Sequence, residues 1–173
     1  MNRAYTSNII RFIIFVLIQG LILRQFTPDS ASFFYFQFFL YPLVILFLPL
    51  KLPDALTIII SFILGLSVDF FYHTPGVHAS ASVFTGFLRP YVLKVLEPRG
   101  GYDINQTPTR YYFGINWFLQ YASVLLLAHL FFYYSVEAFS FVYILSILKK
   151  TFFSFLATFL LVIIYEMLFN PKE

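Results

Sequence analysis

The chain has 173 residues, of which 60% are hydrophobic, 23% aromatic and only 11% charged, against about 45–50% apolar and about 25% charged in soluble domains. A water-soluble fold of this length cannot hide so much apolar surface, so the composition excludes a soluble globular protein and specifies an all-α integral membrane protein. With no cysteine there is no disulfide, thiolate metal site or Cys nucleophile, and the net charge of +3 is read as cytoplasmic loops rich in Lys and Arg, not as a nucleic-acid surface.

A hydrocarbon core about 30 Å thick takes roughly 20 helical residues. Six stretches fit that ruler and predict one transmembrane domain, residues 1–173, built as a bundle of about six transmembrane helices. The first, about 9–23, is short, bracketed by Arg11 and Arg24, and lacks a small-residue cleavage site, so it is expected to be retained. The second, about 32–48, is dominated by Phe and Tyr and contains Pro42, which should kink it. Pro49 and Pro53 mark the boundary to the third span, about 55–72. The fourth, about 77–96, follows Thr74-Pro75-Gly76 and is stopped by Glu97-Pro98-Arg99-Gly100-Gly101. The fifth is about 111–134. Residues 139–148 are too short to cross and precede Lys149-Lys150, so they are read as an interfacial helix feeding the last span, 151–169. The other reading is one long helix from Phe139 with snorkelling lysines.

With the N-terminus in the cytoplasm, that side holds Arg3, Arg11, Lys51, Arg89, Lys94, Arg99, Arg110 and Lys172 against Arg24, Lys149 and Lys150 opposite. This asymmetry predicts both termini inside. No repeat and no separate soluble domain is visible.

Ionisable groups at membrane depth are expensive and mark functional hypotheses. Ser61, Gly65 and Asp69 recur every four residues in the third span, and His78, Ser82, Thr85 and Arg89 share one face of the fourth. Small residues at such spacing let backbones approach closely, so the two stripes are expected to pack together. Arg89 lies about 17 Å below the start of its span and Asp69 only about 5 Å below the same surface, which argues against a salt bridge. Asp69 is expected to accept hydrogen bonds from the first N–H groups of the fourth span, or from Ser80 or Ser82; a proton relay, a substrate contact or a solvated carboxylate are the alternatives. Pro90 cannot donate to Gly86, so a bend is expected there. Arg89 and Lys94 then either snorkel to headgroups or form a basic docking face with Arg99 and Arg110. Glu166 is expected to snorkel. His73, His78 and His129 form no metal site by spacing, and no phosphate loop or nucleophile elbow is present.

The runs Gly65-Leu66-Ser67-Val68-Asp69-Phe70-Phe71, Thr74-Pro75-Gly76-Val77-His78-Ala79, Phe87-Leu88-Arg89-Pro90 and Pro98-Arg99-Gly100-Gly101-Tyr102 together resemble the rod-shape-determining MreD family, in the form found in Bacteroidetes-type bacteria. The resemblance implies a scaffold of the bacterial inner membrane that binds MreC and, through it, MreB, RodA and the elongation-specific penicillin-binding transpeptidase, in lateral peptidoglycan synthesis and cell shape. It implies no catalytic residue and no cofactor; Gly65, Asp69 and Gly76 match as a signature, whereas Lys149-Lys150 departs from the family pattern.

Two other classes stand beside the scaffold. Substrate-binding subunits of vitamin-type transporters have a similar architecture of six spans in about this length, but an Ala-xxx-Ala motif is expected in their first span and is absent here. An intramembrane enzyme should converge two or more polar groups at one depth, which Asp69 and Arg89 do not.

Overall fold

The computed structural model describes residues 3–26, 36–50, 52–103 and 106–169, and among them all regular structure is helical. Helix α1 (Arg3–Leu17) continues through a π turn (Ile18–Ile22) and a 3-10 turn (Leu23–Phe26); α2 is Pro42–Leu46, α3 Asp54–Tyr72, α4 Val77–Val95, α5 Arg110–Phe113, α6 Ile115–Ala138, and α7, after a 3-10 turn at Phe141–Tyr143, is Ile144–Phe169. Four of these stretches are long and apolar enough to cross a membrane: Ile9–Phe26, Asp54–Tyr72, Ile115–Ala138 and Ile144–Phe169. Among the described residues the chain is thus an all-α membrane-type protein with four such helices, which corrects the expected six.

The two missing spans fail for different reasons. Helix α4 matches α3 in length at 19 residues, but His78, Ser80, Ser82, Thr85, Arg89 and Lys94 dilute its apolar content. The stretch 32–48 fails by conformation: residues 32–35 lie outside the described residues, 36–40 have no helical structure, and the helix is only Pro42–Leu46. Pro42 therefore does not kink a span. It stands at the first helical position, where its missing N–H costs nothing and its fixed φ starts the turn.

The two lysines do not divide the last segment either. Helix α7 runs unbroken through Lys149 and Lys150, so no separate interfacial helix occupies 139–148. The break falls earlier, at Phe139, whose φ of 47° ends α6 in a left-handed residue. Lys150 Nζ lies 3.0 Å from a Glu137 carboxylate oxygen, which balances its charge beside the end of α6. Helix α6 also outruns the expected 111–134: Gly114, at φ 81°, separates it from α5, and it extends to Ala138.

Helix α3 packs along α4, α4 along α6 and α6 along α7. The short α2 and the non-helical residues before it fill the middle of this arrangement, with Phe39, Tyr41, Leu43, Ile45 and Phe47 at 0% exposure. Large apolar side chains such as Ile13, Ile59, Phe62 and Leu160 are exposed on the outer faces. That pattern suits a lipid surround, whose tails need no shielding from the protein.

Candidate functional site

The α3–α4 hairpin is built on two close approaches. A Cβ on Gly65 would stand 2.5 Å from the Cα of Ala79 and the carbonyl oxygen of His78, and one on Gly86 would stand 2.5 Å from the Ser61 hydroxyl. At Gly65 only glycine lets the two backbones meet, and at Gly86 it makes room for the Ser61 hydroxyl, so the Ser61-Gly65 stripe does face α4, at His78, Ala79 and Gly86. The turn between the helices closes through Gly76, at φ 87°.

Asp69 ties this hairpin at its tip. One carboxylate oxygen accepts hydrogen bonds from the Thr74 hydroxyl (2.8 Å) and the His78 N–H (3.0 Å), and the other from the Ala79 N–H (2.9 Å). The carboxylate thereby satisfies two orphan donors at the start of α4, at the end of the helix where the dipole favours negative charge. Ser80 donates instead to the Val77 carbonyl, 2.9 Å away, and takes no part. Asp69 lines a hollow with His73, Thr74 and Gly76, yet is only 4% exposed.

A second cluster sits deeper, around Tyr41. Its hydroxyl lies 2.7 Å from His129 Nε2 and 3.1 Å from His78 Nδ1, and His129 Nδ1 lies 2.7 Å from the Thr85 hydroxyl. Thr85 donates to the Ala81 carbonyl at 2.8 Å, so its oxygen is left to accept from His129 Nδ1. His129 Nε2 must then accept from Tyr41, and Tyr41 from His78 Nδ1. The result is a one-way chain of hydrogen bonds joining α4, α6 and the entry to α2. His78 Nε2 and the Ser82 hydroxyl are buried without a hydrogen-bond partner. Tyr41, His78, Ser82, Thr85 and His129 all have 0% exposure, so nothing from outside reaches them in this conformation.

The non-helical stretch before α2 accounts for three more buried polar residues, Gln19, Ser154 and Thr158. Backbone N–H groups that make no helix need other acceptors inside a membrane. The N–H of Gln37 bonds the Ser154 hydroxyl (2.9 Å), that of Phe39 the Thr158 hydroxyl (3.1 Å) and that of Leu40 the Gln19 side-chain carbonyl (2.7 Å), while Gln19 Nε2 donates to the Phe38 carbonyl (2.8 Å). Gln19 is held in place by the π turn, a feature that re-aims side chains where a regular helix would not.

The far end of α2 is closed by Arg89. Its Nε donates to the Tyr121 hydroxyl at 3.0 Å, its guanidinium also donates to the Leu48 carbonyl, and Tyr121 donates to the Leu46 carbonyl at 3.0 Å. Arg89 is 3% exposed, which corrects the expectation that it snorkels or joins a docking face. Helix α4 continues through Pro90 to Val95. The last carbonyls of α4 are taken by the Tyr102 hydroxyl (to Leu93, 2.8 Å) and the Trp117 indole N–H (to Leu96, 2.7 Å). Partial burial pushes the Tyr102 hydroxyl up to about 12, so it remains a donor at any physiological pH.

Of the basic face, Lys94 and Arg99 are exposed, and the hollow that Lys94 lines with Pro90 also contains Asp54 and Glu97, so the patch is mixed in sign. Arg110 opens α5, where its backbone N–H donates to a Glu166 oxygen at 2.9 Å. Glu166 is 1% exposed and does not snorkel. Among the described residues, no group of three or more His, Asp or Glu is arranged to hold a metal ion.

Ser61, Gly65, Asp69, His78, Ser82, Thr85 and Arg89 stood out in the sequence, but not the partners Tyr41, His129 and Tyr121 that His78, Thr85 and Arg89 find, nor Gln19, Ser154 and Thr158, which serve the backbone of residues 37–40. One signal was available for α7: Thr151, Ser154, Thr158 and Glu166 are its buried polar residues, and they form a single stripe in a helix that is apolar beyond Lys149 and Lys150 on its other faces. Compared with known proteins, no family model matches this chain, and no curated protein and no solved structure matches it.

Proposed function

We propose that the chain is a non-catalytic membrane scaffold of the MreD kind, lying in the bacterial inner membrane with both termini in the cytoplasm. In this reading it binds MreC directly and, through it, associates with MreB, RodA and the elongation-specific transpeptidase to direct lateral wall synthesis. The observation that carries the reading is the α3–α4 hairpin. The residues on which the family resemblance rests, Gly65, Asp69 and Gly76, act there as one device: a close approach, a helix cap and a left-handed turn. A signature whose members serve a single shape is what a family defined by its fold and its partners would retain.

The buried chemistry supports the same side. The carboxylate of Asp69, the guanidinium of Arg89 and the rings of Tyr41 and His129 are spent on the protein's own backbone and on one another. Because the polar stripes face inward, partner helices are left the apolar outer faces, and Asp69 acts on partners only through the integrity of its hairpin. Detergent pull-down with MreC tests this: Asp69→Ala is expected to lower both recovery and thermal stability, and full recovery with an equally stable protein overturns it. Depletion in the source organism is expected to round or widen the cells, and unchanged rods after complete loss would count against the scaffold.

A second reading, the substrate-binding membrane subunit of a vitamin-type transporter, is favoured by the non-helical stretch inside the bundle, since discontinuous spans are where transporters commonly bind substrate. Thermal-shift titration of the purified protein with water-soluble vitamins separates the two. A saturable shift supports the carrier, and no shift with any of them argues against it.

A further inference from the structure

Tyr41 stands where the non-helical residues 36–40 give way to α2, and its hydroxyl joins them to two helices, meeting His129 Nε2 of α6 at 2.7 Å and His78 Nδ1 of α4 at 3.1 Å. Because Thr85 gives its own proton to the Ala81 carbonyl, the hydrogen bonds run one way and each imidazole carries a single N–H, on Nδ1. The two Nε2 atoms are placed differently. That of His129 faces the O–H of Tyr41, and that of His78 is buried with no hydrogen-bond partner. A second proton would therefore find no acceptor on His78, and on His129 it would meet another donor.

The surroundings offer neither ring a counter-ion. Asp69 of α3 acts on Tyr41 through its charge, but its oxygens are taken by the Thr74 hydroxyl and the N–H groups of His78 and Ala79. The other titratable side chains against the cluster are tyrosines. Tyr72 of α3 and Tyr133 of α6 each place a ring centroid 4.8 Å from that of His78, and Tyr134 of α6 packs on Phe39.

We propose that this chain of hydrogen bonds is an acid-released catch. At neutral pH it pins residues 36–41 to α4 and α6. Where free imidazole takes up its proton the catch breaks, and the central segment comes away while the α3–α4 hairpin stays closed. The hairpin survives because its ties run through Asp69, glycine contacts and backbone N–H groups, not through an imidazole. The catch is independent of the scaffold reading, because it uses no partner protein.

Reversible unfolding of the purified protein in detergent at pH 7.5 and pH 5.5 tests it. Each histidine whose second proton breaks the closed chain lowers the folding equilibrium constant about tenfold per pH unit below about 6.5. Stability is thus complete above that pH, and the unaltered protein should lose about a hundredfold by pH 5.5. His78→Asn keeps a donor towards Tyr41 and His129→Gln an acceptor, but neither side chain titrates. Each single variant should show about half of the fall on a logarithmic scale, and the double variant none. His73, the remaining histidine of the three, is exposed at the turn, and His73→Gln should keep the whole fall. The chain has no cysteine, so single cysteines report where it opens. Methanethiosulfonate labelling of Leu40→Cys, relative to the exposed Arg99→Cys, should rise severalfold at pH 5.5, while Ser61→Cys, buried in the hairpin, stays unlabelled. Equal stability of the unaltered protein at the two pH values overturns the proposal, as does an undiminished fall in both single variants. Labelling that rises equally at positions 40 and 61 would mean that the bundle opens as one body, and overturns it too.

Discussion

Two neighbouring parts of the bundle solve the same problem in opposite ways. The α3–α4 hairpin meets its backbone requirements locally: its helices bond internally, Asp69 caps α4 from nine and ten residues away in sequence, and Gly76 turns the chain. Residues 36–48 are as apolar as a spanning helix yet form only one short helix, and their free backbone groups are satisfied by Gln19, Arg89, Tyr121, Ser154 and Thr158 from four other elements. The first is self-supporting, and the second exists only inside a finished bundle. Polar residues at membrane depth therefore need no ligand to justify them, because an irregular backbone in a low dielectric is itself a demanding partner.

The sharpest way to break the contrast is at Gly65. Gly65→Val must push α3 from the α4 backbone, and the loss should be about 3 kcal/mol or more in reversible unfolding from detergent micelles, since overpacking against backbone cannot relax. If its cost fell below that of the central-segment variants, the hairpin would not be the rigid part. Arg89→Leu comes next, leaving the Leu48 carbonyl and one side of Tyr121 without a donor, at about 2–3 kcal/mol for a buried charge-assisted pair. Arg89→Lys should recover only part of this, because one ammonium cannot reproduce the forked geometry.

Ser154→Ala and Thr158→Val should each cost about 1–2 kcal/mol by stranding one backbone N–H, the first also taking a partner from the buried Tyr134 hydroxyl. Their signature is local: hydrogen exchange should quicken at Gln37 and Phe39 while α3 and α4 stay protected. Uniform quickening across the chain would mean that the segment and the hairpin unfold together. The smallest effect belongs to Lys150→Ala. Lys150 and Glu137 are partly exposed, with side-chain exposures of 25% and 32%, and such a pair is worth about 0.5 kcal/mol. A larger loss would show that the lysines in α7 anchor the helix and are not merely accommodated by it.

The hairpin was legible because its signals are short-range. Spacings of three and four residues place Ser61, Gly65 and Asp69 on one face, a Pro-Gly turn brings the next helix alongside, and depth alone separates Asp69 from Arg89. The basic face was misread at Arg89 because composition reports that a cation is present, not whether a carbonyl such as that of Leu48 waits nearby. The lysines at 149 and 150 misled for a related reason: charge is a good sign of a boundary only when no acid such as Glu137 stands across from it.

The sequence by itself determined the membrane class, the boundaries around α3 and α4, the glycine and aspartate of their junction, and the packing of α3 on α4 along small residues, all set by hydropathy and helical period. Only the tertiary structure decided that 36–48 is not a spanning helix and that Tyr41, His78, His129 and Thr85 meet. Hydropathy measures how willingly side chains leave water and is silent on where the backbone's hydrogen bonds go. Ser154 lies 117 residues from the Gln37 N–H that it accepts, and no local pattern can announce such a partner.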